Sequence, residues 1–425
     1  MNPEARRIQR TYLTLILGNT IAASFIWGIN TLFLLDAGLS NLEAFAANAF
    51  YTAGMVIFEV PTGVVADTWG RRVSFLLGTI TLAGSTLLYY FLWVAESPFW
   101  AWAVVSVLLG LGFTFFSGAV EAWLVDAMSW AGYDGDLEAV FGRGQMVSGA
   151  AMLGGSVAGG VIAQATSLGV PFLLRVGVLV VMFGVAFRLM FDRGFTPEKG
   201  SSPLGAMRHV FVTSLDGGLK NPPVRWVMLA APFTTGVGIY TFYALQPYLL
   251  ELWGDPEAYS IAGLAAAIVA GSQIVGGYLA PRIRALFHRR TTPLILGTIA
   301  SALVLLLLSV TDAFWVALLL LVVWGMLFSA QMPIRQAYLN GMIPSQQRAT
   351  VLSFDSLMGN TGGVVVQPVL GRAADVYSYS TSYAIGAAIE VLAVPLLFLS
   401  RREKSPSDVM VGQPSEPAAA EGAVA

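Results

Sequence analysis

The apolar residues of this chain come in blocks, and the blocks are too long for a soluble fold. A helix that crosses a bilayer needs about 20 predominantly apolar residues to span about 30 Å of hydrocarbon. Stretches of that kind fall at roughly 11–35, 43–66, 73–95, 98–125, 141–164, 170–190, 225–250, 258–280, 292–311, 313–338, 348–370 and 379–400, numbered here spans 1 to 12. Apolar residues make up 56% of the 425-residue chain and charged ones only 11%. A soluble domain carries roughly 25% charged residues, and so few as here cannot cover an aqueous exterior. The pattern predicts an all-α polytopic membrane protein with little chain left for a soluble domain. The net charge of −2 leaves no basic footprint for nucleic acid. The absence of cysteine removes disulfides, thiolate metal sites and cysteine nucleophiles.

Orientation follows from the basic residues. With the N-terminus in the cytoplasm, all of the 23 Lys and Arg except Arg175 and Arg372 fall on the inner side. That bias predicts both termini cytoplasmic and an even number of spans. Arg6, Arg7 and Arg10 before span 1 look like the start of a signal peptide. The length of span 1 and the spans that follow mark it instead as an uncleaved first helix. Arg outnumbers Lys 20 to 3, which points to a GC-rich bacterial genome and a bacterial inner membrane.

The longest polar stretch, 191–224, divides the spans six and six. The expected organisation is a first six-helix bundle over 1–190, a central cytoplasmic loop over 191–224, a second bundle over 225–403 and a disordered tail over 404–425. The halves carry short matches in the same order. Ala122-Trp123-Leu124 pairs with Ala337-Tyr338-Leu339 at an offset of 215, and Gly63 to Ala66 with Gly277 to Ala280 at 214. Arg143, Ser148 and Gly154 pair with Arg348, Ser353 and Gly359 at 205. This predicts a duplicated unit and two pseudo-symmetric bundles. Small residues four apart, including Gly155 and Gly159 in span 5 and Gly359 and Gly363 in span 11, mark faces for close helix approach. Such faces serve static packing or let the two halves slide.

Between spans 2 and 3 stands Gly63-Val64-Val65-Ala66-Asp67-Thr68-Trp69-Gly70-Arg71-Arg72. It resembles the signature loop of the major facilitator superfamily, Gly-x-x-x-Asp-x-x-Gly-Arg/Lys-Arg/Lys, with every defining position filled. The resemblance covers roughly residues 10–400. It implies the major facilitator fold of 12 transmembrane helices, with spans 1, 4, 7 and 10 lining a cavity. It also implies that Asp67, Arg71 and Asp126 form a breakable inner latch, with Gly63, Gly70 and Arg72 in the same loop. A plainer reading is that Arg71 and Arg72 only fix topology. The second-half copy has Pro281 in place of the Asp, which implies an asymmetric latch. The glycines of span 5 look like the fifth-helix motif of the drug:proton antiporter branch, with Ser156 where that motif has Pro.

A charge at mid-bilayer costs about 2.5–3.5 kcal/mol on insertion scales, so each one needs a reason. Glu59 lies about 24 Å into span 2 and Asp355 about 12 Å into span 11. Glu121 ends span 4, and Glu390 sits near the middle of span 12. These four are the candidates for proton coupling. Asp355 has Asp67, Arg71 or Arg143 as possible neighbours, and Glu390 is either a proton site or a hydrogen-bonded neutral acid. Asn19, Trp27, Asn30, Arg175, Tyr240, Tyr243, Gln246, Gln273, Gln331 and Arg335 are candidates for a substrate cavity, the amides alternatively serving as interhelical hydrogen bonds.

No Gly-x-x-x-x-Gly-Lys-Ser/Thr loop, His-Glu-x-x-His or Gly-x-Ser-x-Gly motif is present, and both histidines, His209 and His288, fall in loops. The expectation is therefore a transporter, not an enzyme, using no cofactor and no metal. Its partners are a small-molecule substrate, protons and the lipid bilayer, and the chain is expected to be a monomer. Proton-coupled efflux of amphipathic compounds is the leading reading. Import of a sugar, organic anion or other metabolite is the alternative.

Overall fold

The computed structural model describes residues 2–197, 205, 212, 218–343 and 348–409. Lys199, Arg208, His209, Asp216, the side chain of Arg348 and the tail beyond Val409 lie outside the described residues.

Each apolar block forms a helix or a broken pair of helices. Spans 1 to 6 are Pro3–Trp27 with Asn30–Asp36, Asn41–Trp69, Arg71–Val94, Phe99–Thr114 with Ala119–Trp130, Leu137–Ala165 and Gly169–Leu189. Spans 7 to 12 are Pro222–Trp253, Tyr259–Ala285, Thr291–Leu308, Phe314–Asn340, Arg348–Val376 and Tyr379–Val391 with Ala393–Arg402. Among the described residues, ten helices are long and apolar enough to cross a membrane, and the bent pair of span 1 makes an eleventh. Span 11 runs 29 residues beside them but is more polar, because Asp355, Asn360, Gln367 and a run of glycines dilute it. Several helices run past the hydrophobic block, since apolarity marks the hydrocarbon and not the helix end.

The first six spans pack around Phe33, which stacks on Phe172 with ring centroids 3.8 Å apart and meets Trp102 edge-on. The last six pack around Tyr240, Tyr248 and Tyr383, all buried. The two groups meet along span 2 against span 11 and span 5 against span 8.

The glycines divide between these two kinds of contact. A Cβ on Gly155 would overlap the Ser24 hydroxyl, and one on Gly159 would overlap the Phe25 carbonyl. Both therefore bring span 5 against span 1 of its own half, and not across the halves. Gly359 faces Thr235 and Gly363 faces Ile239, again within one half. Close approaches across the halves are made by Gly160 and Gly263, where an added Cβ would lie 2.5 and 2.6 Å from opposite backbone oxygens, and by Gly371, where it would lie 2.9 Å from the Asn41 carbonyl.

The end of the bundle away from the termini is tied across the halves. Helix Pro3–Trp27 breaks before Asn30, which leaves the Trp27 carbonyl and the Thr31 N–H without helical partners. In span 7, Pro247 has no N–H and so leaves the Tyr243 carbonyl free. These three groups answer one another through two side chains. Gln246 accepts from the Thr31 N–H at 2.9 Å and donates to the Trp27 carbonyl at 2.9 Å. The Thr31 hydroxyl donates to the Tyr243 carbonyl at 3.0 Å. Asp375, in the last turn of span 11, accepts from the Asn41 and Leu42 N–H groups that start span 2, at 2.9 and 2.8 Å. The Tyr379 hydroxyl donates to the Asn41 side chain beside it. At the other end, among the described residues, no hydrogen bond or ion pair crosses between the halves. Among the described residues, the polar clasp between the halves lies on the side away from the termini.

Two expected outcomes follow from this packing. Gly159→Ala forces a Cβ into backbone and should cost about 1–3 kcal/mol, read as a lower unfolding temperature. Gly154→Ala meets nothing within 4 Å and should leave that temperature unchanged or raise it. Asp375→Ala removes two charge-assisted hydrogen bonds worth about 1.5–3 kcal/mol each. It should move at least a tenth of the molecules to a state opened at this end. Spin labels on cysteines placed at Glu96 and Tyr377, in a chain with no native cysteine, read the change as a longer distance population; an unchanged distribution would show that Asp375 does not hold the clasp.

Candidate functional site

The loop between spans 2 and 3 is held by an acid that the motif does not contain. Gly70 has φ +108°, open to glycine and strained for any other residue, and a Cβ there would strike the Asp192 carboxylate. Asp192 follows span 6 and accepts from the Arg72 N–H at 2.9 Å, capping the N-terminus of span 3. Burial pushes its carboxyl up from the ordinary aspartate value, while the bond from Arg72 and the two arginine charges pull it back. The Arg72 guanidinium donates to the Phe187 carbonyl and lies over the Phe187 and Phe191 rings. Arg71 pairs with Asp67 of the same loop, not with Asp126. Asp126 instead lies under Gly194, whose Cβ would meet the Asp126 carbonyl at 2.5 Å. In this state the predicted latch residues are engaged inside one half only.

The second half closes its corresponding corner in the same way. Asp408, after span 12, accepts from the Thr291 N–H at 2.8 Å and the Thr291 hydroxyl at 3.0 Å, capping span 9. Arg290 donates to the Asp408 and Ser407 carbonyls. The repeat thus extends to an acid after each sixth helix, Asp192 and Asp408, at an offset of 216. The Pro281 substitution is a loss of the loop acid and not of the corner.

Two cavities lie inside the bundle. The first, of ≈ 340 Å³, lies mainly within the first half, with Tyr243 facing it from the second, and is lined by Trp27, Asn30, Asn48, Tyr51, Tyr89 and Arg175 among others. Four of the predicted cavity residues, Trp27, Asn30, Arg175 and Tyr243, therefore come together. Asn48, Tyr51 and Tyr89 were not expected, although a polar or phenolic group inside an apolar span is the signal that would have found them. Gln246 is spent on the clasp, and Tyr240 is buried against Tyr383 with its hydroxyl 2.5 Å from Ser382. Asn19 and Gln273 line neither cavity.

The second cavity, of ≈ 300 Å³, lies within the second half. Asp355 grips Arg335 with both oxygens, at 2.5 and 2.6 Å, and both face this cavity. The expected neighbours of Asp355 were Asp67, Arg71 or Arg143; it pairs instead with a residue assigned to the substrate. Glu390 reaches the same cavity, buried, with Oε2 lacking any hydrogen-bond partner. Gln331 completes the polar wall, accepting from Thr298 at 3.3 Å. Glu59 accepts from Ser117 at 2.8 Å at the break in span 4, and Glu121 is exposed. Of the four coupling candidates, Asp355 and Glu390 share a site and the other two stand apart.

A sequence model of the Major Facilitator Superfamily matches residues 12–363 and 285–419. No curated protein matches by sequence. Among solved structures, the nucleoside transporter NupG superposes with a TM-score of 0.75 at 12% identity, over 94% of this chain and 100% of its own. A bacterial homologue of the human lysosomal transporter Spinster, described as inward-facing and unoccupied, gives 0.71 at 15% identity over 98% and 100%. A D-xylose–proton symporter gives 0.63 at 18% identity over 93% and 97%. With the signature loop, the paired bundles and these likenesses in place, the chain belongs to the major facilitator superfamily, as a multi-pass membrane transporter and not an enzyme.

Proposed function

We propose that the protein is a proton-coupled secondary transporter that moves small amphipathic solutes outward across a bacterial inner membrane by alternating access. The observation that carries the coupling is the second cavity. A bidentate Asp355–Arg335 pair and a buried Glu390 oxygen with no partner share one polar chamber inside a hydrocarbon-embedded bundle. A buried carboxylate short of hydrogen bonds is costly; a proton removes its charge and turns it into a donor, with the Ser301 hydroxyl beside it. A proton on Asp355 frees Arg335 to find another acceptor. Either event changes the charge of the chamber and so changes which arrangement of the halves is preferred.

The solute site in this reading is the first cavity, where Trp27, Asn30 and Tyr243 offer ring faces and an amide. The distribution of basic residues supports cytoplasmic termini; in that reading the clasped end is periplasmic and the state is inward-facing. The span 5 glycines support export. A second reading, proton-driven uptake, draws support from the fold likeness to a protein named as a D-xylose–proton symporter.

One proton moved across 100 mV is worth about 2.3 kcal/mol, nearly fifty-fold in concentration. Proteoliposomes with an imposed pH gradient test the reading, using solutes found by ligand stabilisation of the purified protein. Lumenal acid should drive solute into the lumen for an antiporter, and external acid for a symporter. Flux indifferent to both pH gradient and voltage would reduce the protein to a facilitator. Glu390→Gln keeps the shape and removes the titrating group. It should cut gradient-driven accumulation at least tenfold and leave solute counterflow within about twofold, if Glu390 carries the proton.

A further inference from the structure

Three arginine sites in or beside the bundle interior are answered by the protein itself. Arg335 is neutralised by Asp355, Arg71 by Asp67, and Arg72 is spread over two rings and a carbonyl. Arg175 is not answered. It lies in span 6 and faces the first cavity. No aspartate or glutamate is among the residues lining that cavity. Among the described residues Arg175 makes no ion pair, and its Nε is buried without a hydrogen-bond partner. Its polar neighbours are the phenols Tyr51 and Tyr243.

The other polar groups of the cavity lean the same way. The acceptor of Asn48 is taken by the Asn30 amide at 2.9 Å, while the Asn48 Nδ2 is buried and unpartnered. The Tyr89 hydroxyl is engaged with Ser106. The free capacity left is led by donors: the Arg175 guanidinium and the Asn48 amide N–H, with the Tyr51 and Tyr243 hydroxyls able to donate or accept and the Asn30 oxygen an acceptor. A planar cation with unfilled donors, set among ring faces in a low-dielectric chamber, is a receptor for oxyanions attached to an apolar body.

We propose that the first cavity takes a small organic anion, with a carboxylate, sulfonate or phosphate held by Arg175 and a ring or chain packed on Trp27 and Tyr243. The inference rests on the transport reading above and narrows its solute class. The anion supplies the charge that Arg175 lacks, so solute binding and the neutralisation of a buried cation are one event. A cationic or neutral solute of the same shape leaves that cation bare.

The test is thermal stabilisation of the purified full-length protein at neutral pH, confirmed by calorimetric titration. The probes are matched ring series carrying an acid, an amide or an amine, beginning with indole-3-acetate, indole-3-acetamide and tryptamine and extending to aryl sulfonates and phosphates. Anionic members should stabilise the protein, and their amides and amines should not. Arg175→Gln should weaken anion binding at least tenfold, with Arg175→Lys between it and the parent. The unfolding temperature of each unliganded variant checks that it folds. Should Arg175→Gln not fold, Tyr51→Phe keeps the charge, removes one donor, and should weaken anion binding two- to tenfold. Amides or amines that bind as well as acids, a panel without an anionic hit, or a folded Arg175→Gln that binds like the parent would overturn the proposal. Neutral or cationic solutes driven by the pH gradient would overturn it while leaving proton-coupled transport standing. Anions that bind but are never carried would do the reverse.

Discussion

A helix inside hydrocarbon satisfies its own backbone, but a helix end or break does not, and no solvent is at hand to make up the difference. Much of this structure is arranged around that constraint. Span 1 breaks before Asn30, span 4 breaks at Phe115–Gly118, and Pro247 interrupts span 7. Each defect has an answer. The Phe115 carbonyl takes the Ser74 hydroxyl at 2.8 Å from span 3. The Trp27 carbonyl, the Thr31 N–H and the Tyr243 carbonyl are satisfied across the halves. What differs between the two ends of the bundle is where the answer comes from. On the side of the termini, Asp192 and Asp408 cap spans 3 and 9 from within their own halves. On the other side, Asp375 caps span 2 from the opposite half. Among the described residues, that asymmetry sets the polar ties between the halves on the side away from the termini.

The same division separates rigid contacts from movable ones. Gly155 and Gly159 bring span 5 against span 1, and Gly362 sets its Cα against the Pro232 carbonyl of span 7. These are close approaches inside a half, where substitution meets atoms that have no room to give. Across the halves the tight points are Gly160 against Gly263 and Gly371 against Asn41 and Phe45. The halves meet at these glycine crossings, and among the described residues the clasp bonds lie on the side away from the termini. The polar bonds of the clasp are individually worth about 0.5–3 kcal/mol. That is the scale of a single proton crossing a membrane potential, about 2.3 kcal/mol per 100 mV. A clasp of this strength holds one state without locking it.

Much of the architecture was legible in the sequence because membrane helices write their length and polarity directly into composition. The signature loop placed Asp67, Gly70, Arg71 and Arg72 together for the same reason: they are neighbours in the chain. The acids that hold the corners were not legible. Asp192, Asp375 and Asp408 act on backbone N–H groups more than a hundred residues away, and a backbone N–H has no letter in the sequence. The same limit explains Asp355. Its partner, Arg335, lies 20 residues away on another span, and depth alone could not choose between it and Arg71 or Arg143. The cavity was half legible, since Trp27, Asn30, Arg175 and Tyr243 are anomalous in apolar spans. Gln246 was equally anomalous, yet its polarity serves the clasp. An intramembrane polar residue shows that some group needs a partner, and only the fold tells whether that group is backbone or solute.

Alternation between two open sides then becomes a question of who satisfies the orphaned groups in each state. In the transport cycle proposed above, opening of the clasped end withdraws Gln246 and Asp375 from Thr31, Trp27, Asn41 and Leu42. Those groups lie at the end of the bundle, where an opened cavity admits water, and water replaces each lost bond at modest net cost. A break buried at mid-membrane would have no such replacement, and opening there would leave bare backbone in hydrocarbon. The clasp is therefore made from helix defects for a physical reason. A defect at the gating end has a second partner, the solvent, available only in the other state. Continuous helix offers no orphan group to a partner in either state. A side-chain-only clasp would exchange its partners for water as well, but would leave the defects of spans 1 and 7 unsatisfied in the closed form. Breaking the helices where the gate must open gives the two states comparable hydrogen-bond totals, which is the condition for a small input of free energy to choose between them.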